Sequence, residues 1–175
     1  MKKLISLLLV CCIAVADDNE IYVDQVGATA NIDLEQLGSG NIIGGLLSAH
    51  GSMTNFDLDG TSMTLDVNQI GNNNKMLGDI NADTFTGLFD FDGDTNSYTI
   101  QVDPTNANSA DSSNVNVNVD GSTNTMTLDL AKTSLASGAD IDTIIQGSGN
   151  TVHIDLDVDS ATNYIDFDGD SNTID

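Results

Sequence analysis

Apolar and polar residues alternate along most of this chain. Ile21, Val23, Gln25 and Gly27 share one parity, as do Ile32, Leu34, Gln36 and Gly38, and again Leu65, Val67, Gln69 and Gly71. Residues of one parity point to one face of an extended strand, so the pattern predicts strands with one dry and one wet face. Further inward sets are Met63, Leu65 and Val67; Phe89 and Phe91; Tyr98, Ile100 and Val102; Val115, Val117 and Val119; and Val152, Ile154 and Leu156. Opposite them stand Asp33, Glu35, Asp66, Gln101, Asn116, His153 and Asp155. The runs follow one another at about 10 to 13 residues, the rhythm of short strands separated by turns. No stretch carries a helical period.

One phrase punctuates the runs. It reads Gln36-Leu-Gly-Ser-Gly-Asn41, Gln69-Ile-Gly-Asn-Asn-Asn74 and, shortened, Gln146-Gly-Ser-Gly-Asn150, with a looser form from Gln25 to Asn31. Each glutamine sits with the aliphatic parity, and a buried amide without partners costs roughly 1–3 kcal/mol. A like amide one strand away, about 4.8 Å distant, supplies both donor and acceptor in a ladder. The glycine and asparagine that follow are turn formers. The expected fold is all-β, a β-solenoid of stacked strand-turn-strand repeats of about 22 residues, with about seven rungs and an amyloid-like cross-β filament on assembly. A sandwich or barrel would satisfy the alternation but not the amide repeat. Three stretches break the rhythm, near 44–53, 103–113 and 131–140, and read as excursions from a single repeat domain over residues 17–175; Pro104 falls in the second.

The Gln-x-Gly-x-Gly-Asn core resembles the curlin repeat. That resemblance implies Gln25, Gln36, Gln69 and Gln146 as ladder residues, Gly27, Gly38, Gly71 and Gly147 as turn glycines, and Asn31, Asn41, Asn74 and Asn150 as their asparagines. It also implies export through a secretion channel, nucleated self-assembly into extracellular amyloid-like fibres, and a role in biofilm matrix and adhesion. It covers about a third of the chain, and the middle of the sequence lacks the glutamine.

Composition narrows the reading. Lys2 and Lys3, an apolar stretch from Leu4 to Val15 and the small residues Ala14 to Ala16 have the layout of a secretory signal over residues 1–16. Both cysteines, Cys11 and Cys12, lie inside it, so the exported chain is expected to carry neither disulfide nor thiolate. Beyond it stand 27 acidic residues against Lys75 and Lys132, a formal charge of 2 − 27 = −25. Nucleic-acid binding is excluded on that balance, and no later segment reaches the roughly 18 apolar residues of a membrane span. High charge with few aromatic residues is also a signature of disorder, which the strict alternation opposes.

Candidate chemistry is sparse. Asp90-Phe-Asp-Gly-Asp-Thr-Asn96 recurs as Asp166-Phe-Asp-Gly-Asp-Ser-Asn172. Asp90, Asp92, Asp94, Asp166, Asp168 and Asp170 are therefore candidate calcium ligands, although the spacing is not that of the helix-loop-helix calcium site, and a turn built of aspartate and glycine is the plainer reading. His50 and His153 read as solvated side chains. With no nucleophile beside a base, the sequence predicts no enzyme and no required cofactor, calcium being the one candidate. The expectation is a secreted homo-polymer subunit found at the cell surface or outside it; a monomeric acidic calcium-binding adhesin or surface-layer component is the alternative.

Overall fold

The computed structural model describes residues 19–44, 55–102, 110–131 and 137–175. The signal-like segment with Cys11 and Cys12, and also His50, Pro104 and Lys132, lie outside the described residues, as does most of the three stretches read as excursions. All regular structure among the described residues is β. The strands are β1 (Glu20–Tyr22), β2 (Asp24–Val26), β3 (Thr29–Leu37), β4 (Ile42–Gly44), β5 (Phe56–Ile70), β6 (Lys75–Asp92) and β7 (Ser97–Val102). They continue as β8 (Asn114–Asp120), β9 (Thr125–Leu130), β10 (Ala139–Gln146), β11 (Thr151–Leu156), β12 (Ala161–Asp168) and β13 (Thr173–Ile174).

Every pairing is parallel. One wall stacks β3, the second half of β5, the second half of β6, β8, β10 and β12; the other stacks β1, β4, the first half of β6, β7, β9, β11 and β13. The chain winds between them as a parallel β-solenoid. Its basic step is 22 residues, as between Phe56 and Gly78, Lys75 and Ser97, or Ala139 and Ala161. Three steps are longer: Thr29 pairs with Ser62, Thr86 with Asn114 and Asn114 with Asp140, steps of 33, 28 and 26 residues.

The longer steps explain why the chain completes about five full turns, with partial coils at either end, and not about seven rungs. A length divided by 22 overcounts when three coils take more. The additional residues enter at two places: between Gly44 and Phe56, inside one wall, since Ile43 is in register with Met76 and Phe56 with Gly78, and after Val102 and Ala131, at the corner that ends the same wall. The opposite corner never changes length.

Alternation accounts for the packing. Leu65, Val67, Phe89 and Val117 face inward from one wall, against Ile43, Met76, Tyr98, Met126 and Val152 from the other, and all are buried. Phe91 stacks on Tyr98 with ring centroids 3.6 Å apart and 8° between planes. Burial pushes the Tyr98 phenol well above its ordinary value, with Asp92 adding to the effect and the Asn96 side chain opposing it. Outside, parallel register places like on like: Asp24, Asp57 and Asp79 form one column, Asp33 stands beside Asp66, and Asp92 beside Asp120.

Candidate functional site

Six copies of one turn stack at the constant corner. Each has glycine followed three residues later by asparagine: Gly38 and Asn41, Gly71 and Asn74, Gly93 and Asn96, Gly121 and Asn124, Gly147 and Asn150, Gly169 and Asn172. The glycines hold φ between 115° and 138°, and the residue two places on is left-handed whether it is Gly40, Asn73, Thr95, Thr123, Gly149 or Ser171. The glycines are needed for space as well as for φ. A β-carbon on Gly71 would lie 1.8 Å from the carbonyl oxygen of Gly38, and one on Gly93 would lie 2.1 Å from that of Gly71.

The asparagines lace the coils together. The backbone N–H of Asn41 donates to Oδ1 of Asn74 at 3.0 Å, Asn74 to Asn96 at 2.7 Å and Asn96 to Asn124 at 2.8 Å. Asn124 then donates to Asn150 and Asn150 to Asn172, both at 2.9 Å. Asn19 begins the series, its N–H donating to Asn41 Oδ1 at 3.3 Å. The side-chain amides close each turn by donating to glycine carbonyls. Asn41 and Asn74 use Gly38 and Gly71 of their own turns, whereas Asn124, Asn150 and Asn172 reach the turn before, at Gly93, Gly121 and Gly147. Asn96 stands where the pattern switches. Both neighbouring carbonyls are taken, and its Nδ2 is buried without a hydrogen-bond partner.

Gln36 and Gln69 form the glutamine ladder. Gln69 Nε2 donates to Gln36 Oε1 at 2.9 Å, and Gln36 Nε2 donates to the carbonyls of Asn19 and Ile42 at 3.0 and 3.1 Å. Both side chains are buried. The ladder stops after two rungs because Phe91 occupies the next place in register, which leaves Gln69 Oε1 without a partner.

Other residues singled out by the repeat stand elsewhere. Gln146 is exposed and in register with Asp120 and Asp168, while Ile145 takes the inward place beside Val119 and Phe167. Gln146 immediately precedes its glycine, whereas Gln36 and Gln69 stand two residues before theirs, and a one-residue shift reverses the face. Gln25 pairs in register with Leu58 and its side chain donates to the carbonyl of Val26, and Asn31 is exposed beside Thr64. Gly27 belongs to the opposite corner, where its carbonyl would lie 1.9 Å from a β-carbon on Gly60.

The aspartate phrases prove to be further copies of the same turn. Asp94 Oδ1 accepts from the Ser122 N–H at 2.6 Å, and the Asp94 N–H donates to Asn72 Oδ1 at 2.7 Å. Asp90 accepts from Asn118 Nδ2 at 2.9 Å, Asp166 from the Tyr164 hydroxyl at 3.4 Å, and the Asp170 N–H donates to Ser148 Oγ at 3.2 Å. Asp92 and Asp168 share an outward column with Asp120 and Gln146. Neither aspartate triplet gathers its carboxylates at one point among the described residues. The ladder positions that the glutamine phrase did not reveal, Asn96, Asn124 and Asn172, were signalled by the invariant Gly-x-x-Asn interval.

The Asp57 carboxyl is raised above its ordinary 3.8, chiefly by desolvation and then by Asp24, Asp59 and Asp79, with a hydrogen bond from Asn81 in opposition. The arrangement defines a β-solenoid with buried asparagine and glutamine ladders, consistent with curlin-like repeats. No family model matches the chain, and no curated protein or solved structure is significantly similar to it.

Proposed function

We propose that the chain is a secreted, non-catalytic structural subunit of the curlin-like kind, polymerising end to end into extracellular amyloid-like fibres that serve biofilm matrix and adhesion. The observation that carries this reading is the unbroken asparagine column from Asn19 to Asn172, in which each coil is bonded to the next through identical groups. Such in-register stacking is the bonding plan of cross-β fibres. A further copy meets at the end of a stack the same surface that one coil offers another.

The outermost described coil supports the reading. Ile165 and Ile174 are 38% and 52% exposed there, although Val117 and Met126, their counterparts in the middle of the stack, are buried. Stacking at such an end is head-to-tail and does not close, so it yields filaments. A nucleator and a secretion channel are the partners that the curlin resemblance brings with it.

Electron microscopy and fibre diffraction of the purified chain test the proposal. Unbranched filaments with a meridional spacing of about 4.7–4.8 Å are expected, and the Gln36→Lys, Gln69→Lys double variant should not form them. Persistently monomeric protein with calcium-dependent folding would overturn the polymer reading in favour of an acidic adhesin.

A further inference from the structure

Asp129 breaks the outward pattern of β9. It points away from the apolar interior, yet it is 3% exposed, and its Oδ2 accepts a hydrogen bond from Gln101 Nε2 at 3.0 Å. Parallel register sets it beside Asp155 of the next coil, and His153, two residues before Asp155, shares that outer face. One ligand atom from each of Asp129, His153 and Asp155 can be chosen so that all three lie within 4.8 Å of one another. A fourth donor comes from the following coil: Asp175 Oδ2 lies 3.6 Å from His153 Nδ1. The backbone of Asp175 is held in place, its N–H donating to Val152 and its carbonyl accepting from Ile154.

We propose that Asp129, His153, Asp155 and Asp175 form a binding site for a divalent transition-metal ion of the zinc type, clipping three successive coils together. The chemistry of the donors selects the metal. Calcium and magnesium take oxygen ligands, whereas an imidazole beside carboxylates suits zinc, copper or nickel. The geometry is one fixed arm and three adjustable ones. Gln101 orients the buried Asp129 carboxylate, as outer-shell partners commonly do for metal ligands. His153 and Asp175 have side chains 46% and 88% exposed and are free to close the remaining distance. Two carboxylates opposed across neighbouring strands repel each other, and a bound cation turns that repulsion into attraction. The site does not depend on the polymer reading.

Titration calorimetry of the purified chain with Zn²⁺, in the presence of millimolar Ca²⁺, should show one tight equivalent. His153→Ala should lower its affinity at least tenfold, and Gln101→Ala, which removes no ligand, should weaken it by about 10- to 100-fold. With Cu²⁺ as probe, electron paramagnetic resonance should show nitrogen hyperfine structure that is lost in His153→Ala and kept in His50→Ala, these being the two histidines of the chain. His153 is half exposed, so the variant should fold normally, with circular dichroism as the check. Unchanged Zn²⁺ affinity in His153→Ala, displacement of Zn²⁺ by calcium, or absence of a tight equivalent would each overturn the site.

Discussion

A β-carbon added at Gly71 would meet the Gly38 carbonyl at 1.8 Å, on a backbone already at φ 132°. The obstacle is main chain in the neighbouring coil, so no rotamer change relieves it. Gly71→Ala should therefore cost on the order of 3 kcal/mol, read as a lower urea midpoint. Asn74→Ala acts differently. It orphans the buried Asn41 N–H and the Gly71 carbonyl together, at roughly 1–3 kcal/mol for each group, so a loss of about 2–6 kcal/mol is expected by the same measurement. Asp57 offers a gain. Its folded pKa lies above the ordinary 3.8, so its charge opposes folding at neutral pH, and that penalty fades as pH falls through the folded value. Asp57→Asn should raise the melting temperature at pH 7 and have no advantage below pH 3.8; an advantage that persisted in acid would show that the charge is not the cause.

At the level of the element, the two corners of the coil obey different rules. The glycine-asparagine corner keeps the same interval in all six copies because each of its groups bonds to the equivalent group in the next coil. One residue inserted between Asp94 and Thr95 should displace the Asn96 rung from both neighbours and abolish cooperative thermal unfolding. The same insertion in segment 132–136, where the step lengthens from 22 to 26 residues, should move the melting temperature little. Much of this was legible beforehand. Alternation located inward residues of β5 to β8 and of β11, and Gln36 and Gln69 announced a buried amide ladder. Gln146 misled because likeness of phrase was weighed above parity: adjacency to Gly147 turns it outward. The Asp-Gly-Asp phrases looked like separate chemistry because their first residues carry charge, and charge says nothing about the backbone. Asp92 and Leu37 hold equivalent places before a turn glycine, both facing solvent, where either side chain is tolerated.

For the whole molecule, net charge is a force that opposes the compact state. Parallel stacking sets some outward acids directly on like acids, as in Asp24, Asp57 and Asp79, well inside the Debye length of about 8 Å at physiological ionic strength. Sodium chloride raised from about 10 to 150 mM shortens that length from about 30 to 8 Å, and the urea midpoint should rise with it. A midpoint indifferent to salt would mean that the acid columns are already compensated.

The constant corner has one more property, that of an arrow. In each turn three backbone N–H groups, those of the glycine, the left-handed residue and the asparagine, aim toward the following coil, as Gly71 does to Asp92, Asn73 to Asp94 and Asn74 to Asn96. Repeated through the stack, these dipoles add along one edge, much as peptide dipoles add in a helix. Two ends of such a stack are thus chemically unlike, one rich in donors and the other in acceptors. A filament assembled from it would be a one-way track, with ends that capture new copies at different speeds.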